Sequence, residues 1–227
     1  MTDDAKRSAA ERAIQFVSDG QVVGLGTGST AAFAIQGLGR RVNEGLRIIG
    51  VPTSRASEEL ARSLGIPLLD LNPVQKIHIT IDGADEVDGA FNMIKGGGGA
   101  LTREKLVALS STRNVYVVDE RKLVDRLGQS FAVPVEVLPF GWVGCARRLG
   151  ELGCEPRLRE DRDTPFLTDN GNYIIDCTFA PIASPVELER AIKLVPGVIE
   201  SGLFVGMVDA LVVAFADRVE VREAIRG

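Results

Sequence analysis

Short apolar runs alternate with amphipathic stretches through the first half of this chain, and that alternation narrows the fold more than any other feature. Strands are expected at 21–25, 46–51, 67–70, 76–81 and 114–119, and helices at 4–18, 31–41, 57–64 and 100–110. Strand and helix taken in turn build a mostly parallel sheet covered on both faces, an α/β architecture. From residue 133 the order changes to strand 133–138, helix 141–152, strands 155–159 and 173–178, helix 185–194 and strand 198–204. That βαββαβ succession is a ferredoxin-like unit, with Asp169-Asn170-Gly171 as the turn before its third strand. The expected organisation is a sheet domain of residues 1–130 and 205–227, with a smaller α+β domain at 131–204 inserted before a C-terminal strand at 210–215.

In an open parallel sheet, the loops after the carboxyl ends of strands gather around one crevice. Polar loops occupy that position at 26–30, 52–54 and 82–88, and the strand ending at Asp119 brings Lys122 to the same edge. The sequence GLGTGST (24–30) joins a strand to a helix, where backbone N–H groups and the hydroxyls of Thr27, Ser29 and Thr30 suit an anion such as a phosphate. It is no dinucleotide fingerprint, because Ser29 replaces the third glycine and no acid ends the second strand. The bland alternative is a tight turn with Ser or Thr as helix cap.

The segment 82–105, DGADEVDGAFNMIKGGGGALTREK, crowds charges around permissive backbone. Asp82, Asp85 and Asp88 recur every third residue, which fails the calcium-loop spacing and leaves magnesium open. Gly96 to Gly99 form a run costing roughly 0.5–1 kcal/mol per residue relative to alanine in regular structure. Such a run suits close backbone approach to a ligand, with amides aimed at developing negative charge. Glu104 and Lys105, taken alone, read as solvent-facing helix residues, and Lys6 and Lys122 as surface lysines with a phosphate as the alternative partner.

Composition removes several classes. Net charge is −5, so no global positive field attracts a nucleic acid. The most apolar late segment, 203–216, is interrupted by Asp209 and too short to span a bilayer, and the N-terminus has no signal-like apolar core. Three cysteines without paired spacing fit reduced thiols in a cytoplasm. His78 is the sole histidine, which leaves proton chemistry to carboxylates and lysines.

TGST, GVPTS, DGADEVD and IKGGGGALTREK, in this order and spacing, resemble ribose-5-phosphate isomerase of type A. The likeness extends through FAVPVEVLPF (131–140), LTDNGNYIID (167–176) and PGVIESGLF (196–204). It implies a Rossmann-like sheet domain with a ferredoxin-like companion and interconversion of ribose 5-phosphate with ribulose 5-phosphate, without metal or organic cofactor. It further implies Glu104 as catalytic base, with Asp82, Asp85 and Lys95 also catalytic. Substrate contacts implied are Thr27, Gly28, Ser29, Thr30, Asp82, Gly83, Ala84, Asp85, Lys95, Gly96, Gly97, Gly98 and Lys122. A cytoplasmic homodimer or higher homo-oligomer, acting on a sugar phosphate and on neither nucleic acid nor membrane, goes with the resemblance. The competing readings are a sugar-phosphate-sensing effector module, for which no helix-turn-helix segment precedes Val22, and an acyl-CoA transferase-like enzyme, which leaves Lys95 and the aspartate pair without work.

Overall fold

Propensity and burial together give the elements their order. In the computed structural model, which describes residues 3–224, helix α1 (Asp3–Ile14) leads to strand β1 (Gln21–Leu25), α2 (Ser29–Asn43), β2 (Ile48–Pro52), α3 (Arg55–Ser63) and β3 (Ile79–Gly83). A hairpin of β4 (Glu86–Val87) and β5 (Met93–Ile94) follows, then α4 (Leu101–Leu109) and β6 (Asn114–Asp119). Next come β7 (Val133–Val137), α5 (Trp142–Gly150), β8 (Glu155–Leu158) and a small hairpin of β9 (Glu160–Asp161) and β10 (Thr164–Pro165). The chain continues through β11 (Tyr173–Thr178), α6 (Pro185–Lys193), β12 (Val198–Ser201), β13 (Leu203–Phe204), β14 (Ala210–Ala214) and β15 (Val219–Glu223).

The contacts divide the chain into two compact units. One takes in the residues up to Ala84, Arg103–Lys122 and the chain from Met207. Its six-stranded sheet runs β15-β14-β6-β3-β1-β2, parallel except for β15, which pairs antiparallel with β14. The apolar residues Val23, Leu25, Ile81, Val115, Val117 and Val212 face α1 and α2 in its principal core. β1 lies between β2 and β3, so the connections leaving β1 and β2 run in opposite directions from it. That is a topological switch point, where such sheets open a crevice beyond the strand ends.

Asp85–Thr102 and Leu123–Gly206 form the second unit. Its four-stranded antiparallel sheet, β12-β7-β11-β8, carries α5 and α6 over the face built by Val133, Val135, Val137, Ile175 and Cys177. This is the ferredoxin-like order expected from the sequence. A three-stranded sheet, β13-β5-β4, adds residues 85–102 to this unit, whereas the sequence reading groups them with the parallel sheet.

Three local expectations change. Residues 67–70 form no strand: Leu68 makes one bridge to Gly50, and Pro67 has no N–H to extend it. The strand expected at 198–204 breaks at Gly202, whose N–H bonds Pro134 O (2.7 Å) and whose carbonyl accepts Lys95 N–H (2.9 Å). The edge strand β15 lies beyond the last strand the sequence reading assigns. A Cβ on Gly202 would collide with the Lys95 carbonyl and lie 3.0 Å from that of Pro134. Gly202→Ala is therefore expected to cost about 1–3 kcal/mol, as overpacking does, measurable as a lowered denaturant midpoint at unchanged slope.

Candidate active site

At the switch point the end of β1 meets the end of β3. Gly26 N–H bonds Ile81 O at 2.9 Å, and Thr27 N–H donates to Asp82 Oδ1 at 3.0 Å. The same oxygen accepts Gly83 N–H at 2.7 Å, so two backbone amides orient the Asp82 carboxylate, which is 2% exposed. Only glycine fits at 26, because a Cβ there would lie 2.6 Å from the Asp82 Cα. Thr27 Oγ1 lies 2.7 Å from Thr53 Oγ1 and donates to Ser54 Oγ (2.8 Å), while Ser57 donates to Gly26 O (2.6 Å). The PTS loop after β2 is thus the frame of the TGST loop.

Helix α2 is capped by Gly28, at φ 102°, with no side-chain cap bond. Neither Ser29 nor Thr30 serves as the cap, so the turn is not the bland capped turn. The helix start keeps N–H groups pointing outward, the arrangement that attracts a phosphate. Lys6 Nζ donates to Ser29 Oγ at 3.1 Å, which brings a cation to that end of the helix.

Lys122 ends a single 3-10 turn after β6. Beside it, burial works to raise the carboxyl pKa of Asp119, but hydrogen bonds from Arg121 and the charges of Arg121 and Lys122 outweigh it. The Asp119 carboxyl is held below the usual carboxylate range.

In the second unit, Asp85 and the glycine run are joined. Asp85 N–H bonds Ile94 O at 2.8 Å, and Asp85 Oδ2 accepts Gly97 N–H at 2.8 Å. Lys95 is 2% exposed, with its ammonium 5.5 Å from the centre of the Phe204 ring. Gly96 (φ 104°) and Gly99 (φ 79°) take left-handed backbone that side chains avoid. Any Cβ at Gly97 would lie 2.9 Å from Asp85 Oδ1, so the loop has no room for side chains on that side.

The remaining acids of DGADEVD are structural. Asp88 accepts the N–H groups of Ala90 (2.9 Å) and Asn92 (2.8 Å) and shapes the β4–β5 hairpin. Glu86, 1% exposed, accepts Gly128 N–H (2.7 Å) and Ser130 N–H (2.5 Å). Among the described residues no three His, Cys, Asp or Glu side chains gather in a metal-holding group. His78 accepts Val22 N–H on Nδ1 at 3.0 Å, a structural bond at the start of β1.

Glu104 stands in the first turn of α4 and is 5% exposed; Lys105 is 3% exposed. Both overturn the solvent-facing expectation. The same helix leaves Leu106 and Leu109 50% and 64% exposed while Glu104 and Lys105 are buried beside Leu101 and Val107. Charged side chains buried while two leucines are exposed depart from the usual core helix.

Two residues were not singled out by sequence reasoning. Arg159 Nη1 donates to the carbonyls of Gly96 (2.9 Å) and Gly97 (3.1 Å). Glu136, fully buried, accepts from Thr102 (2.5 Å), Thr168 (2.9 Å), Asn170 (3.1 Å) and Asn172 (2.8 Å). The only sequence signal for Glu136 is a lone acid inside the apolar run VPVEV.

The chain can be compared with known proteins. Residues 49–218 match the family Ribose 5-phosphate isomerase A (phosphoriboisomerase A). A ribose-5-phosphate isomerase A of Gloeobacter violaceus is 54% identical over 220 residues, covering 96% of each chain. One from Thermomicrobium roseum is 49% identical over 227 residues, covering 99% of this chain and 96% of its own. The solved ribose 5-phosphate isomerase A of Methanocaldococcus jannaschii superposes with a TM-score of 0.93 at 42% identity, covering 98% of this chain and all of its own. A D-ribose-5-phosphate isomerase solved in complex with phospho-erythronic acid gives 0.95 at 41% identity, with the same coverage. With the fold and nearly the full length shared, this chain belongs to the ribose-5-phosphate isomerase A family.

Proposed function

We propose that this protein is an aldose-ketose isomerase that interconverts D-ribose 5-phosphate and D-ribulose 5-phosphate, a step of the pentose phosphate pathway. The observation that carries the reading is family membership over almost the whole chain. Phospho-erythronic acid, bound by the relative noted above, is a carboxylate that mimics an enediolate, the intermediate such a shift requires. Neither an acyl-CoA transferase nor a sensing module accounts for that match.

In the open-chain sugar, the base takes the C2 proton, and the electron pair left behind forms the C1–C2 double bond as O1 gains negative charge. A proton then moves from O2 to O1, and the base returns its proton to C1. One carboxylate above a cis-enediolate performs both carbon steps, and Glu104 is assigned that role. A C–H beside a carbonyl is a weak acid, so the oxyanion needs strong stabilisation, assigned to Lys95 and the amides of Gly96 and Gly98, with the Gly97 amide holding Asp85 beside them. Asp82 and Asp85 are assigned proton movement between sugar oxygens, including ring opening. Thr27, Gly28, Ser29 and Thr30 are assigned the phosphate, with Lys6 and Lys122 as cationic partners. Gly83 and Ala84 complete the substrate contacts.

Cytoplasmic residence and a homodimer or higher homo-oligomer belong to the same proposal. The three free thiols and the exposed apolar side chains of Phe140, Val143 and Leu194 support it. Among the described residues no helix is long and apolar enough to cross a membrane.

Incubating purified protein with ribose 5-phosphate and following ketose formation tests the reading. Ketose should form at the same rate with and without EDTA, because a carboxylate, an ammonium and amides suffice for the steps above. Absence of ketose would refute the function, and loss on chelation with recovery by Mg²⁺ would revive the metal reading of the acidic segment.

A further inference from the structure

Arg159 follows β8 and its backbone is held on both sides: its N–H bonds Ile174 O (2.8 Å), and its carbonyl accepts Phe166 N–H (2.9 Å). Its guanidinium forks onto Asp176 of β11, Nε to Oδ2 at 2.9 Å and Nη2 to Oδ1 at 2.5 Å. Such a bidentate pair fixes the plane and direction of the guanidinium. The side chains are 15% and 28% exposed, so water competes little for them. The remaining terminal nitrogen, Nη1, reaches the carbonyls of Gly96 and Gly97. Phe166 packs beneath the same guanidinium and occupies the space a Cβ on Gly99 would need.

The direction of these bonds matters because a trans peptide sends its C=O and N–H to opposite sides. With the Gly96 carbonyl turned to Arg159, the Gly97 N–H points the other way, where Asp85 Oδ2 accepts it. With the Gly97 carbonyl turned to the same nitrogen, the Gly98 N–H is sent to the same side as that of Gly97. Glycine has no side chain to bias its own peptide orientation, so an outside group must choose it. We infer that Arg159, steered by Asp176, is a positioning residue for the isomerisation: it holds the Gly96 and Gly97 carbonyls so that the Gly97 amide fixes the Asp85 carboxylate and the Gly98 amide faces the substrate oxygens. Arg159 touches no reacting atom in this role. The inference rests on the proposal that Asp85 and the Gly98 amide serve the substrate.

The test compares Arg159→Met, Arg159→Lys and Asp176→Asn with the unaltered protein in steady-state turnover of ribose 5-phosphate. Misplacement of about 1 Å can lower rates by about 10²-fold, so kcat of Arg159→Met should fall by roughly 10- to 100-fold. KM should move less than about 3-fold, because donors that act on developing charge are felt in turnover rather than in binding. Arg159→Lys should recover part of that loss, since an ammonium reaches a carbonyl but cannot also fork onto Asp176. Asp176→Asn should lose turnover with Arg159 still present, which a charge-only role for Arg159 would not produce. Each variant is checked for an unchanged circular dichroism spectrum. If Arg159→Met does not fold, the lysine and asparagine variants carry the comparison. A folded variant set with kcat within 2-fold of the parent overturns the inference, as does a loss confined to KM. Glu104→Gln in the same assay separates the two ideas: if it is inactive while the Arg159 variants turn over normally, only the positioning role falls.

Discussion

Glu104→Gln is expected to bind ribose 5-phosphate with near-parental affinity and to lose isomerisation by roughly 10²- to 10⁴-fold, the span contributed by a positioned acid–base group. Gln preserves the size and hydrogen-bonding reach of the side chain, so a 5% exposed position in the first turn of α4 keeps its packing. What it removes is the oxygen that takes a proton from carbon. Three readouts separate this from a folding defect: calorimetric binding of substrate, steady-state kcat, and exchange of the C2 proton with deuterated solvent. All proton exchange at C2 should disappear together with turnover, because one carboxylate performs both carbon steps. Near-normal turnover in a folded Glu104→Gln protein would sink the assignment of the base, whatever became of the other residues.

How much of this was legible in the sequence differs by element. β1, β6 and β11 occupy the predicted ranges, since each is an apolar run bounded by polar residues. β4 and β5 are two residues each, too short for any periodicity to register. β15, with Val219 and Val221 between Glu and Arg, has the alternation of an edge strand but too little apolar content beside β14 to stand out. In the candidate site, the glycine run and the acids were visible because they break the rules of core composition. The burial of Lys105 was not, because the leucines beside it imitate a core stripe. Arg159 was invisible for another reason: its carbonyl partners lie 63 and 62 residues away in the chain, and an arginine beside a strand end looks like surface.

The largest expected effect on stability is at Glu136, equally hidden in the sequence. It sits in β7 between Val135 and Val137, which face the helices, so its side chain emerges on the opposite face of the sheet. There it is fully buried and meets four side-chain donors, from Thr102, Thr168, Asn170 and Asn172. A carboxylate only accepts, and here Oε1 takes the Thr168, Asn170 and Asn172 donors and Oε2 that of Thr102. Thr168 Oγ1 in turn accepts the N–H groups of Asn170 (3.2 Å) and Asn172 (3.1 Å), which closes the turn before β11. Glu136→Ala strips the common acceptor of all four side chains and leaves the buried Thr168 hydroxyl without it. The expected loss is about 3–5 kcal/mol, because several hydrogen bonds to a charged group, each worth about 1.5–3 kcal/mol, are lost together. Glu136→Gln keeps the shape but turns an amide N–H₂ toward donors that include two other amides. It should lose about 1.5–3 kcal/mol, the contribution of a hydrogen bond to a charged group. Urea unfolding of both variants measures the order Ala > Gln in destabilisation. Because Thr102 is the second residue of α4 and Glu104 follows in the same turn, Glu136→Gln should also lower kcat under conditions where it remains folded. If Glu136→Ala unfolds within 1 kcal/mol of the parent, a threshold below one charge-assisted bond, the network does not hold this region together.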